Sequence, residues 1–115
     1  LRTPQALSGP QQRAALAEAG DADTALTNIF SGRPARGIMN RVMRDIGPMS
    51  DAAPTFPTAG GMLAPLKAKA EAEGRDDFTQ LWAGQAVALA REEGAADVMH
   101  RLIAEAQTRL GGLSG

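Results

Sequence analysis

Apolar side chains recur at three- and four-residue intervals through much of this sequence, the period of helices covered on one face. The clearest run is the last. Met99, Leu102, Ile103, Ala106 and Leu110 form one stripe and Arg101, Glu105 and Arg109 the opposite one, predicting a helix with a buried apolar face and a frayed end over Gly111–Gly115. Ile38, Met39, Val42, Met43 and Ile46 predict a second amphipathic helix, opened by Pro34 and closed by Gly47-Pro48, with Asn40, Arg41, Arg44 and Asp45 on its polar side. Near the start, Ser8-Gly9-Pro10-Gln11 reads as a capping box. It opens a helix from about Gly9 to Ala19, with Ala15, Leu16 and Ala19 as a thin inward stripe and Gly20 as a left-handed stop.

Between these runs the pattern changes. Thr24–Phe30 is rich in β-branched residues and is followed by glycine and proline, which predicts a short strand. Pro48, Pro54, Pro57, Gly60 and Gly61 predict an irregular crossing loop over residues 47–61. A helix is expected to resume near Pro65, with Lys67–Glu71 and Lys69–Glu73 pairs on its surface and Gly74 as its stop. Thr79 is expected to cap a further helix that carries Trp82, Ala86 and Leu89 on one face and stops at Gly94. As an isolated segment, the chain therefore reads as mostly α.

Composition changes this picture in one respect. The apolar share is 43%, but aromatics supply only 3%, in Phe30, Phe56, Phe78 and Trp82, while alanine dominates the helices. Ordering a residue costs roughly 1–2 kcal/mol, and alanine buries little surface against that cost. The chain thus reads as a piece that packs on a larger neighbour. The start at Leu1-Arg2-Thr3-Pro4, with no initiator methionine, leads to the same expectation of a segment within a longer protein.

A net charge of −1 gives no electrostatic pull toward nucleic acid or an acidic membrane. No apolar run approaches the roughly 18–20 residues that cross a bilayer. With no cysteine, the chain offers no disulfide and no thiolate ligand, and the cytoplasm is the default compartment. The lone histidine, His100, lies beside the apolar stripe of the last helix and reads as structural, and no metal site is expected. Phosphate loops of the G-x-x-x-x-G-K-[ST] and G-x-G-x-x-G kinds are absent.

Two clusters remain. Ser31-Gly32-Arg33-Pro34-Ala35-Arg36-Gly37 reads as a strand-to-helix turn: Ser31, Gly32, Arg33 and Arg36 either build the turn and pair with carboxylates or, with the helix N-terminus, hold an anion. Leu81-Trp82-Ala83-Gly84-Gln85 places a glycine in the first turns of an expected helix, where close approach by a neighbour would account for it. There Trp82 offers a flat face and Gln85 an amide to a ligand, or Trp82 simply anchors the helix.

Taken in order, Thr24 to Asn40 with its Phe30–Gly37 run, then Phe56-Pro57, then Leu81–Gln85, the sequence resembles the nitronate monooxygenases, formerly 2-nitropropane dioxygenases. The resemblance implies an FMN enzyme on a (β/α)8 barrel with an inserted smaller domain, oxidising alkyl nitronates to carbonyl compounds and nitrite with dioxygen. It implies that this chain is the C-terminal part. Residues 1–61 would belong to the inserted domain and crossing loop, and residues 62–115 to helices returning to the barrel. Trp82, Gly84 and Gln85 would lie near the flavin or the substrate mouth, while Ser31, Arg33 and Arg36 brace the small domain. The glycine-rich phosphate turn and the substrate-side histidine would lie outside the chain, so the segment alone is expected to be inactive. A non-enzymatic helical interaction module and a related flavin-dependent enoyl reductase are the alternatives.

Overall fold

A computed structural model describes residues 2–114. Its elements, in chain order, are α1 (Pro10–Glu18), β1 (Thr24–Thr27), β2 (Ala35–Ile38), α2 (Arg41–Ile46), α3 (Ala59–Ala72) and α4 (Ala95–Leu113), with single 3-10 turns at Asp21–Asp23 and Val87–Leu89. They fall into two compact units: Gly9–Ala90, and Leu1–Ser8 together with Arg91–Gly115.

In the larger unit, α1 buries Leu16 as expected, but its start is simpler than a capping box. Gly9 is the N-cap and makes no side-chain cap bond, while the Gln11 Nε2 donates to the Glu71 carbonyl at 3.2 Å. Pro10 at the first helical position brings a preset φ and no N–H to satisfy, so the start tolerates the missing cap. Gly20 is extended (φ −97°, ψ 177°) rather than left-handed, because its N–H is taken by the Asp23 carboxylate at 2.7 Å as the chain turns into β1.

The helix expected from Pro34 begins only at Arg41. Residues 35–38 instead form β2, antiparallel to β1, with Thr24 opposite Ile38 and Thr27 opposite Ala35. Four residues, Ala35-Arg36-Gly37-Ile38, are too few to fix a period, and here backbone pairing decides. Asn40 closes the strand and caps α2, its Oδ1 accepting from the Met43 N–H at 3.5 Å. Gly47 ends α2, and residues 47–58 form no helix or strand, as the breakers require.

α3 begins at Ala59, before Pro65, which lies inside the helix rather than at its start. It stops at Gly74, left-handed at φ 75°. Lys67 and Glu71 approach to 3.9 Å, whereas Glu73 is held by Arg75.

The helix expected from Thr79 does not form. Residues 80–86 are non-helical, Trp82 bridges to Gly37, and Leu89 is three-quarters exposed. Leu81 and Trp82 point to opposite faces of the hairpin, the period of a strand. Two small cores result. Leu16, Ile38, Leu81 and Val87 fill one; Ile29, Phe30, Val42 and Met43 fill the other, with Trp82, Phe78 and Leu63 packed against it.

In the smaller unit, α4 is the long helix its periodicity predicts, and it continues to Leu113, so the expected fraying of residues 111–113 is not found; Gly115 lies outside the described residues. Its apolar stripe is not buried: Met99, Leu102, Ile103 and Leu110 are each at least half exposed. Arg101 is paired with Glu93 and Glu105 on the polar side, and the Gln5 side chain accepts from the Ala95 N–H.

Candidate functional site

The two clusters picked out in the sequence lie side by side. Ile38 N–H donates to the Leu81 carbonyl at 2.8 Å and Ala83 N–H to the Arg36 carbonyl at 3.3 Å, so Leu81–Ala83 runs along the free edge of β2 like a third strand. Gly37 makes this possible. A Cβ there would lie 2.9 Å from the Leu81 oxygen and 3.3 Å from Cε3 of Trp82, so the indole occupies the volume a side chain would take. Edge-to-face contact with Phe30, at 5.7 Å between ring centroids and 90°, fixes the indole from the other side.

Ser31, Gly32 and Arg33 lie in the hairpin connection and Arg36 within β2, not at a helix N-terminus, so the helix dipole invoked for an anion is absent at this place. Gly32 is left-handed at φ 87°, and a Cβ on it would come within 2.4 Å of the Phe56 nitrogen and 2.5 Å of the Pro54 carbonyl. The crossing loop therefore packs directly on this glycine. Arg33 lies over the Phe56 ring, its guanidinium carbon 4.5 Å from the centroid. Ser31 closes the turn, its hydroxyl donating to the Arg33 carbonyl and accepting from the Arg33 N–H. Arg36 donates to both the carbonyl and the hydroxyl of Thr24 at 3.2 Å. Both arginines are thus engaged within the hairpin and its loop, and neither pairs with a carboxylate among the described residues.

Beyond Ala83 the chain bulges outward. Gly84 and Gln85 are exposed, and a Cβ at Gly84 would meet nothing within 4 Å, so the close approach inferred for that glycine belongs to Gly37 instead. Val87, buried against Leu16 and Leu81, anchors the far side of the bulge. Trp82 is half-buried, leaving part of its ring accessible beside the Gln85 turn. His100 is exposed on α4, and no group of carboxylates and histidine among the described residues could hold a metal ion.

Sequence reasoning undervalued Asn40, which it set on the polar side of a helix. Its side chain is 3% exposed, and Nδ2 donates to the Thr79 carbonyl at 2.8 Å and the Asp76 carbonyl at 3.0 Å. The signal was an asparagine between the apolar pairs Ile38-Met39 and Val42-Met43, just before a helix, where N-caps concentrate. An apolar cleft of about 110 Å³ lies between α2, the crossing loop and α3, lined by Ile29, Ile46, Pro54, Met62 and Leu63 among others. A polar hollow of about 290 Å³ is lined by Glu18, Asp23, Arg44 and Asp76 among others. Neither includes a residue of the two clusters. The Arg75 guanidinium, hydrogen-bonded to Glu73 and close to Asp77, is held above its ordinary range, and Arg101 likewise by Glu93 and Glu105.

The model of the nitronate monooxygenase family matches residues 1–105. The chain belongs to the nitronate monooxygenase family. A nitronate monooxygenase of Pseudomonas aeruginosa is 39% identical over 103 residues, covering 89% of this chain and 29% of the relative. A probable nitronate monooxygenase of Bacillus subtilis is 33% identical over 84 residues, 73% of this chain and 24% of that one. The crystal structure of a nitroalkane oxidase from Streptomyces ansochromogenes superposes with a TM-score of 0.82 and 35% identity, over 96% of this chain and 32% of that chain. The chain thus spans less than a third of the length of these relatives.

Proposed function

We propose that this chain is the C-terminal part of an FMN-dependent nitronate monooxygenase that oxidises alkyl nitronates to carbonyl compounds and nitrite with dioxygen. The observation that carries the reading is the family match over residues 1–105, supported by the likeness to the nitroalkane oxidase at a TM-score of 0.82. The remainder of the enzyme would be a (β/α)8 barrel in the cytoplasm, with residues 1–61 in its inserted domain and residues 62–115 returning to the barrel. The open apolar face of α4 suits that neighbour: about half of Leu102 and Ile103 remains to be covered.

The residues fit one side of a flavin and not its phosphate. Trp82 is a half-buried indole and Gln85 an exposed residue, next to a glycine with free space above it. By contrast, Arg33 and Arg36 are occupied by Phe56 and Thr24, and no buried side-chain N or O atom among the described residues lacks a partner. The flavin, when bound, supplies the electron-transfer and oxygen chemistry. Trp82, Gly84 and Gln85 would line the flavin edge or substrate mouth, orienting the nitronate and excluding water. Ser31, Gly32, Arg33 and Arg36 would hold the hairpin and crossing loop that carry this wall.

The test uses the complete natural gene product. Purified under air, it should carry a flavin absorption spectrum and release nitrite from an alkyl nitronate. In it, Gln85→Ala should raise KM or lower kcat about tenfold, the scale of losing one positioned polar contact. Absence of flavin refutes the reading, and unchanged kinetics in Gln85→Ala remove that residue from the site.

A further inference from the structure

The start of α2 is tied to the segment that leads to the bulge at Gly84-Gln85, and a buried side chain, Asn40, makes two of those ties. Asn40 uses both ends of its amide. Oδ1 accepts from the Met43 N–H and so is tied to the first turn of α2, while Nδ2 reaches the carbonyls of Asp76 and Thr79. The Val42 N–H adds a bond to the Asp77 carbonyl at 3.1 Å. Segment 76–79 is thereby clamped to the start of α2, and the chain runs on from Thr79 through Leu81 on the β2 edge to Trp82 and Gln85. Thr79 is itself fixed to α3 through its hydroxyl, which donates to the Glu71 carboxylate at 2.8 Å.

The alternatives to a side-chain clamp are few here. Segment 76–83 contains no helix or regular strand, so its carbonyls find partners only from outside itself or from isolated turns. A buried asparagine with two donors aimed at two carbonyls of an irregular segment dictates that segment's path, since any displacement leaves a buried amide N–H unpaired. Leu81 and Val87, which share a core, fix the two sides of the bulge against movement toward that core. Movement along the β2 edge is opposed by the hydrogen bonds of Leu81 and Ala83, by the Trp82 indole against Gly37 and Phe30, and, upstream, by Asn40.

We propose that Asn40 is a positioning residue for the flavin- or substrate-facing wall, setting the placement of Trp82 and Gln85 without touching either ligand. This rests on the proposed function, and it assigns the role to a residue on a different element from the wall itself.

The experiment uses the complete flavoenzyme. Asn40→Asp is isosteric and keeps the acceptor that caps α2, but its ionised form cannot donate to Thr79 or Asp76. Asn40→Ser also keeps a capping oxygen and is too short to reach either carbonyl, so it serves should the buried carboxylate prevent folding. KM and kcat for a nitronate, flavin content and melting temperature are measured for wild type and each folded variant. The expected result is retained flavin with KM raised about tenfold and kcat changed much less, since misplacing a binding wall by about 1 Å costs on that scale or more. In a Gln85→Ala background the same Asn40 substitution should then change KM by a much smaller factor, because the group it positions is gone.

Folded variants with a lowered melting temperature and wild-type KM and kcat would overturn the proposal, leaving Asn40 a role in the fold alone. Full additivity with Gln85→Ala, together with a KM effect that persists in a Trp82→Phe background, would also overturn it. Wild-type enzyme lacking flavin and nitrite release would instead refute the functional reading on which the proposal rests, an outcome separate from either.

Discussion

α2 and α4 invert the usual relation between pattern and burial. α4 spans Ala95–Leu113 with a clear apolar stripe, yet none of its residues is buried. α2 has only six residues, Arg41–Ile46, and two of them, Val42 and Met43, are among the most enclosed in the chain. An amphipathic pattern specifies that a helix has a face to cover, not that its own chain supplies the cover. The unit Gly9–Ala90 solves its burial internally, with two cores on opposite faces of a hairpin. The unit containing α4 leaves an apolar face open, with Met99, Leu102, Ile103 and Leu110 each at least half exposed.

The comparison can be broken at its strongest point first. Met43 is 0% exposed, so Met43→Ala should destabilise the Gly9–Ala90 unit by about 2–5 kcal/mol, read from a denaturant midpoint. A loss below about 1 kcal/mol would mean that this unit, too, relies on cover from elsewhere. Next comes Gly32→Ala, which combines a left-handed backbone with a Cβ 2.4 Å from the Phe56 nitrogen. Its expected cost is about 1–3 kcal/mol, accompanied by displacement of the crossing loop, which proteolysis in residues 51–57 would register.

The smallest effect is expected on α4. Leu102 and Ile103 are 50% and 51% exposed, so Leu102→Gln and Ile103→Gln should each cost no more than about 0.5 kcal/mol in the 115-residue chain. In the longer enzyme each should cost about 1–3 kcal/mol, since the same side chains would there be fully covered. Equal melting-temperature shifts in the two contexts would show the stripe to be uncovered in both.

How far the sequence could be read follows the same division. The strand at Thr24, the inward face of α1, the breakers of the crossing loop, the stop at Gly74 and the whole of α4 were legible, because local chemistry suffices for each. The side-chain cap expected at the start of α1 is absent, and the start of α3 was displaced, since Pro65 lies within that helix. The larger misreadings share one cause. The pattern predicts helices over residues 35–38 and 79–86, yet 36–38 and 81–83 pair with each other through the backbone: Gly37 with Trp82, Ile38 with Leu81, Arg36 with Ala83. Sequence reasoning picked out both clusters as chemically distinctive but treated them as separate, and it credited Gly84 with a close approach that Gly37 makes.

By itself, the sequence determined which residues want burial, where the chain must break, and, through the order of its motifs, the family to which it belongs. Only tertiary structure decided that the Ser31–Gly37 turn is a hairpin, that Trp82 fills the space above Gly37, and that Asn40 reaches across to Thr79. Periodicity and capping act over a few neighbouring residues and are written locally. A hydrogen bond between residues 39 positions apart depends on where two segments meet, and no short stretch of sequence records that meeting.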